Sequence, residues 1–476
     1  MGTAQTTAEI DWLLNAARKF IDSQRIKSGV ISFFDTRFEQ SELEKLLESI
    51  SFVAVLDTVT YRFLQYFYQI IGFGRIRNDC FKDLVIARIV EPVSKRQTKD
   101  LLEVRFDRKY PLNKIYQTLR SVSDNNYQDK IEQIVYRFVK NHISRNINVL
   151  FFDVTTLYFE AFDEDDFRRY GFSKDNKHNQ PQIVIGLTVT TDGIPLSVSI
   201  FEGSKFEGHT IIPAMSALTN RLRLDEDFVV VADSAMLSQK NIGLLEDKKL
   251  KYIVGARLGS LSRKLFREVI TSMKKIDGET VRINLNQERT LIVSYSEKRA
   301  GKDRHDREKQ IKKAKYLITN PSGFMNRYKF LTSKDKKGFC LNEEIIEKAR
   351  QLEGLKGYIT NAAKLPSDEI IKRYSELWQV EKAFRMSKSD LKARPIFHTL
   401  KQSIEAHILI VFTALTISRY IEFTTKTSIH TVVKTLSRIK EIVAEDNVSG
   451  QRARKLTNLT TEAKQLLEYT KINWVI

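Results

Sequence analysis

Asp153 interrupts the apolar run 149–152 in NVLFFDVTTLYFE, and Asp233 closes a second run, FVVVA. Each acid stands near the carboxyl side of a segment that otherwise reads as a buried strand, where open α/β sheets gather their ligand chemistry. On neighbouring strands about 4 Å apart, the two charges would repel by roughly 1 kcal/mol in water and roughly 4 kcal/mol at a dielectric near 20. A proton or a cation removes that cost. No basic residue flanks either acid, and hard oxygen donors of this type suit Mg²⁺ or Mn²⁺. Either acid alone could instead cap the turn after its strand; the pair, after like runs in a basic chain, favours the ion site.

A third ligand must come from an element packed near the same strand ends. PSDEIIKRYSELWQVEKAFRMSKSDL reads as one helix over 368–391, with Ser367 or Asp368 as its cap and acids in its first turn. Tyr374, Trp378, Glu381, Arg385 and Lys388 are spaced at four, three, four and three, so they share one face. Such a face is poor core material and suits gripping a metal and phosphates. Glu381 is the candidate third carboxylate.

These acids need a sheet to hold them. Residues 1–145 read as mostly helical: 41–71 carries apolar residues at three- and four-residue spacing without Pro or Gly, and Gly72 and Gly74 then break it. SKRQTKDLLEVRF is a short basic helix, consistent with a DNA-binding module or with an ordinary bundle. From about 147 the order becomes strand, strand, strand, helix, strand, helix, strand, with Asp192-Gly193 marking a hairpin. That order implies an α/β fold, a mixed sheet with helices on its faces. Five segments follow: a helical 1–145, a first catalytic part 146–259, a basic β-rich insertion 260–350, a second catalytic part 351–400, and a helical 401–476. Between Arg263 and Lys315 sixteen basic residues face eight acids, so this insertion suits phosphate tracking as well as a plain solvated face.

Lys and Arg number 78 against 59 Asp and Glu, a net +19. A polyanionic partner, nucleic acid first, is the leading implication. Cys80 and Cys340 form no CxxC pair, which fits a reducing compartment and no zinc site. The N-terminus lacks a signal-peptide pattern, and 406–417 offers only about twelve apolar residues where a membrane span needs roughly 20. A soluble, intracellular protein without membrane partners is expected.

The Tyr374-x2-Leu377-x3-Glu381-x6-Lys388 spacing resembles the Y-x2-R-x3-E-x6-K signature of DDE transposases in the insertion-sequence-four superfamily. GFSKDNKHNQPQIVIGL and VVADSAMLSQKNI resemble the same branch, and Asp233-Ser234-Ala235 fits its D-x-G/A pattern. The resemblance implies an RNase H-like catalytic domain: a mixed five-stranded sheet whose adjacent first and fourth strands carry Asp153 and Asp233, with Glu381 on a later helix. It further implies two Mg²⁺ or Mn²⁺ ions, Asp153 bridging both while Asp233 and Glu381 hold one each. Lys388 would contact a DNA phosphate and Tyr374 a phosphate or sugar, and Arg385 or Arg373 could substitute for the signature Arg on DNA, although neither occupies its position. The alternatives are a solvated Lys388 and a half-buried Tyr374. Trp378 would stack on an unpaired base, although a large apolar residue on a packed helix reads more readily as core.

The implied activity is cutting of double-stranded DNA at the terminal inverted repeats of an insertion sequence, then transfer of the 3′ ends into target DNA. A homodimer in the DNA complex and a cytoplasmic, nucleoid-associated prokaryotic setting accompany it. Leu377 stands where the signature has Arg, so the resemblance leaves open whether end handling passes through a hairpin. A nuclease of the same fold without strand transfer, and an inactive DNA-binding descendant, are the alternatives.

Overall fold

The computed structural model describes residues 6–27, 48–145, 147–173, 179–224, 228–234, 238–320, 328–334, 338–457, 459–472 and 474. Ala235 of the D-x-A pattern lies outside them. The first part of the chain runs α1 (Thr7–Lys27), β1 (Ile50–Leu56), α2 (Thr58–Ile71), α3 (Asp79–Val90), α4 (Lys95–Phe106), α5 (Leu112–Asp124) and α6 (Tyr127–His142). Next come β2 (Val149–Tyr158), β3 (Gln182–Thr190), β4 (Pro195–Glu202), α7 (Ile211–Leu222), β5 (Val229–Ala232), α8 (Gln239–Asp247) and β6 (Lys251–Ala256). They are followed by α9 (Arg263–Ser272), β7 (Thr280–Asn284), β8 (Thr290–Tyr295), α10 (Glu297–Thr319), β9 (Leu331–Lys334), β10 (Gly338–Leu341), α11 (Glu343–Gln351) and β11 (Leu355–Thr360). The chain closes with α12 (Ser367–Ser375), α13 (Trp378–Ser389), α14 (Lys401–Thr425), α15 (Ile429–Leu436), β12 (Glu441–Asp446), β13 (Arg452–Leu456) and α16 (Thr461–Glu468).

Two compact units emerge, not five. One holds 1–56 with 440–457, and the other holds 57–439 with 458–475. In the first, β1, β12 and β13 form an antiparallel sheet. Two expectations fail here. ISFVAVL is a strand inside a stretch that reads as helix, and a hairpin occupies the C-terminal region expected to be helical. Ile50, Val53 and Val55 are β-branched and lose χ1 freedom in a helix, while the pairing that makes them a strand comes from β12, far along the chain.

The larger unit is built on one mixed sheet of eight strands, in the order β4-β3-β2-β5-β6-β11-β8-β7. The five-stranded sheet expected from the sequence is thus extended by three antiparallel strands. β7 and β8 come from the insertion 260–350, which is mainly helical and not β-rich: α9, α10 and α11 outweigh its four short strands. The β3–β4 hairpin turns at Gly193, whose φ is +79°. A Cβ there would also run into the Arg419 guanidinium, which donates to the Gly193 carbonyl at 2.9 Å and to the Gln379 amide oxygen of α13 at 2.9 Å. The turn, α13 and α14 are thereby fixed to one another.

Helices α2 to α6 belong to the same unit as the sheet. They pack around α14, which also lies against β4 and α13. The α14 helix runs through Ser418-Arg419 to Thr425, because Arg419 is satisfied inside the fold, and it is long and apolar enough to span a membrane by length and composition. Most of its apolar window is buried within the unit, so it is the core helix here. Glu132 on α6 is fully buried and ties that helix to the sheet. It accepts from Ser197 Oγ at 2.9 Å and Val198 N at 3.2 Å on β4, and it pairs with Arg221 of α7 at 2.8 Å. Burial holds its carboxyl above the usual range despite Arg221. Asp83, also fully buried, gathers Tyr61 at 2.6 Å, Tyr110 at 2.7 Å and Arg108 at 2.8 Å.

Candidate active site

β2 and β5 are parallel neighbours at the centre of the sheet, and their ladder ends with Phe152 opposite Ala232. Asp153 and Asp233 are the next residue on each chain, side by side, with neighbouring strands about 4.8 Å apart. Asp153 is not at the end of its strand. β2 continues to Tyr158, paired with β3, and only its β5 side falls open. The short β5 is what exposes the acid. Its run VVVA is wholly buried, as expected for a strand covered on both faces.

Each acid is anchored by the next peptide. Val154 N–H donates to Asp153 Oδ1 at 2.8 Å, and Ser234 N–H to Asp233 Oδ1 at 2.6 Å. Tyr374 adds a third contact, its hydroxyl donating to Asp233 Oδ1 at 3.1 Å. Tyr374 is buried at the end of α12, and its ring stands edge-on to Tyr358 at 5.0 Å. Burial, then the Asp233 charge, push its hydroxyl well above the usual tyrosine range.

The single helix expected over 368–391 is two. The chain turns at Glu376 and Leu377 through short i→i−3 bonds before α13 begins. Tyr374 therefore does not share the outward face of Trp378, Glu381 and Arg385, all of which are exposed on α13. Trp378 is 50% exposed, which sets aside the core reading. Lys388 is half-buried in the last turn of α13. Leu377 is buried, so the side chain where the signature has Arg points into the core, a setting that suits Leu.

α12 packs against β5 and β6, and α13 against β2 and β3, so the two helices straddle the strands that carry the aspartates. Glu381 lies in the first turn of α13, where the helix dipole favours a carboxylate. Among the described residues, no three His, Cys, Asp or Glu side chains form a group able to hold one metal ion. Asp153 and Asp233 are juxtaposed by register; Glu381 shares two electrostatic neighbours, Lys356 and Tyr374, with Asp233.

One of those neighbours was not foreseen from sequence. Lys356 on β11 stands over the Tyr374 ring at 4.5 Å. Burial, then Arg299, hold it below the usual lysine range, while Asp233 and Glu381 both pull it upward. Glu381 and Asp233 act on Tyr374 as well. A lone charged residue inside LKGYIT is the same signal that singled out Asp153, and it could have found Lys356.

Gly255 was missed too. It follows Val254, the β6 partner of Ala232, and a Cβ there would land on the Tyr374 hydroxyl. The glycine makes the room through which Tyr374 reaches Asp233. Gly255→Ala is expected to cost about 1–3 kcal/mol by overpacking. In a Tyr374→Phe background, which lacks the displaced hydroxyl, the cost should be distinctly smaller. Denaturant midpoints of the four proteins in this cycle measure the coupling.

A family profile described as "Transposase DDE domain" matches residues 144–417, more than half of the chain. The chain belongs to the transposase DDE domain family. This transposase is thus an enzyme of the class that cuts and transfers DNA. No curated protein matches it. Among solved structures it is similar to the piggyBac transposase synaptic complex with hairpin DNA, at 12% identity and a TM-score of 0.38, over 80% of this chain and 70% of that one. It is also similar to the Mos1 transposase paired-end complex with left transposon end, at 12% identity and a TM-score of 0.17, over 53% and 68% of the two chains. At those scores the likenesses bear no weight for the chemistry of this transposase.

Proposed function

We propose that this transposase binds the ends of its own insertion sequence, cleaves the phosphodiester backbone there and transfers the 3′-hydroxyl ends into target DNA. Its catalytic carboxylates are Asp153, Asp233 and Glu381, on an RNase H-like core of the insertion-sequence-four branch. The observation that carries this reading is the register of β2 and β5, which sets two acids side by side where the ladder opens. Support for the core comes from the strand order β4-β3-β2-β5-β6.

All three groups are carboxylates, the donor type a hard divalent cation takes; among the described residues no three such side chains form a metal-holding group, so shared coordination requires Glu381 to move toward the aspartates. Two Mg²⁺ or Mn²⁺ ions held by Asp153, Asp233 and Glu381 would, when bound, activate the entering hydroxyl and stabilise the leaving oxygen. The protein's own part is orientation. Tyr374 and the Ser234 amide fix one Asp233 oxygen and leave the other to turn toward the substrate side. Glu381, exposed on α13, has the rotatable bonds to swing toward the pair. Arg385 and Lys388 would hold DNA phosphates, and the exposed ring of Trp378 would stack on an unpaired base. With its hydroxyl committed to Asp233, Tyr374 acts as a positioning residue before it acts as a phosphate contact. A homodimer on DNA and a prokaryotic, nucleoid-associated setting complete the proposal.

A strand-transfer assay separates this reading from that of a plain nuclease. Labelled DNA carrying the sequences that flank the gene, incubated with Mg²⁺ and a supercoiled target, should yield joined products. Cleavage without joining would favour the nuclease, and neither product would favour an inactive DNA-binding descendant.

A further inference from the structure

A cavity of about 300 Å³ opens where the N-terminal helices meet the loop that follows α13. Arg88 of α3, Lys95 and Arg96 at the start of α4, Lys392 and Arg394 of the loop, and the imidazoles of His398 and His407 all line it, and among the described residues no acid does. Arg88 and Lys95 are each 8% exposed. Among the described residues, neither side chain has an ion-pair or hydrogen-bond partner. His407 donates from Nε2 to the Ala393 carbonyl at 3.1 Å, and its buried Nδ1 has no partner.

Buried cations are nearly always paired, because an isolated one carries a large desolvation cost. Here burial and the neighbouring cations together hold Lys95 and both imidazoles down. Burial, then Arg88, push Lys95 down to about 7, and burial, then Lys95 and Arg88, push His398 down to about 4. An anion of matching size would relieve all of them at once. The volume is at the lower end for ligand pockets and holds a phosphate with part of an attached sugar or base. Phe397, 71% exposed, stands on the lining of the cavity.

We propose that this cavity is a phosphate-binding site, in which Arg88 and Lys95 hold a phosphate group of the DNA and Phe397 packs on the attached nucleoside. Arg88 supplies the planar fork that matches phosphate oxygens, and Lys95 a compact point charge. Only the source of the phosphate rests on the DNA chemistry proposed above. The site itself rests on the buried unpaired cations.

The test uses the full chain in thermal melts, with inorganic phosphate against chloride at matched ionic strength. Phosphate should raise the melting temperature of the wild type by several degrees beyond chloride. Lys95→Gln should melt at or above the wild type without phosphate, because an uncompensated buried charge is gone. It should also lose about tenfold or more in apparent phosphate affinity. Arg88→Lys, which keeps the charge and loses the fork, provides a second variant with a smaller loss. Short duplexes with and without a 5′-phosphate are then added as competitors. Competition by both assigns the site to backbone phosphate, and competition by the phosphorylated duplex alone assigns it to a DNA end.

No wild-type response beyond chloride, or a full response in both variants, overturns the site. Failure of both duplexes to compete overturns the assignment to DNA. Asp153→Asn should keep the phosphate response whatever its cleavage activity, so a failure of the catalytic reading stays distinguishable.

Discussion

Asp153→Asn should lower Mg²⁺-dependent cleavage of element ends by about three powers of ten, while leaving the protein as stable as the wild type or more so. The activity loss follows from removing a charge that helps hold the ions, each factor of ten being about 1.4 kcal/mol of a contribution worth several. The stability gain follows from the geometry of β2 and β5. With Asp233 next in register, neutralising one acid relieves a repulsion of roughly 1–4 kcal/mol, and the Asn side-chain oxygen still accepts from Val154 N–H. A merely structural acid behaves the other way, losing stability and sparing chemistry. Single-turnover cleavage and a denaturation curve on the same preparation check both halves. Cleavage within tenfold of the wild type would remove Asp153 from the site.

Glu132→Ala should cost about 3–5 kcal/mol, the usual penalty for breaking a buried pair. Its carboxylate is the point at which α6, β4 and α7 meet, and its removal takes that acceptor from the Val198 amide and leaves Arg221 with Asp129 at 3.7 Å and the Ser197 hydroxyl at 3.3 Å. Glu132→Gln keeps an acceptor for β4 and should lose less. The urea midpoint is the measurement, and a loss under about 1 kcal/mol for the Ala variant would show that the helical layer is not fastened to the sheet there.

Much of the strand framework around the candidate site was legible because its signals are local. The runs VLFF and FVVVA announce strands buried on both faces, so an acid closing each is conspicuous, and Asp192-Gly193 announces the hairpin that holds β3 beside β4. What stayed hidden depends on distant pairing or on small steric facts. β1 is a strand because β12 pairs with it. The sheet reaches eight strands because β11 joins β6 to β8. The break between α12 and α13 carries no Pro or Gly; the chain turns there through i→i−3 bonds with Leu377 buried. Gly255 on β6 matters chiefly through Tyr374, which lies on α12, more than a hundred residues along the chain.

Crystals of the transposase with DNA and Mn²⁺ test the central claim most directly, through the anomalous signal of the metal. Two peaks about 4 Å apart, both touched by Asp153, with Asp233 on one and Glu381 on the other, is the predicted map. A Glu381 carboxylate held more than about 10 Å from the Mn²⁺ beside Asp153, in a complex that still cleaves DNA, would contradict it.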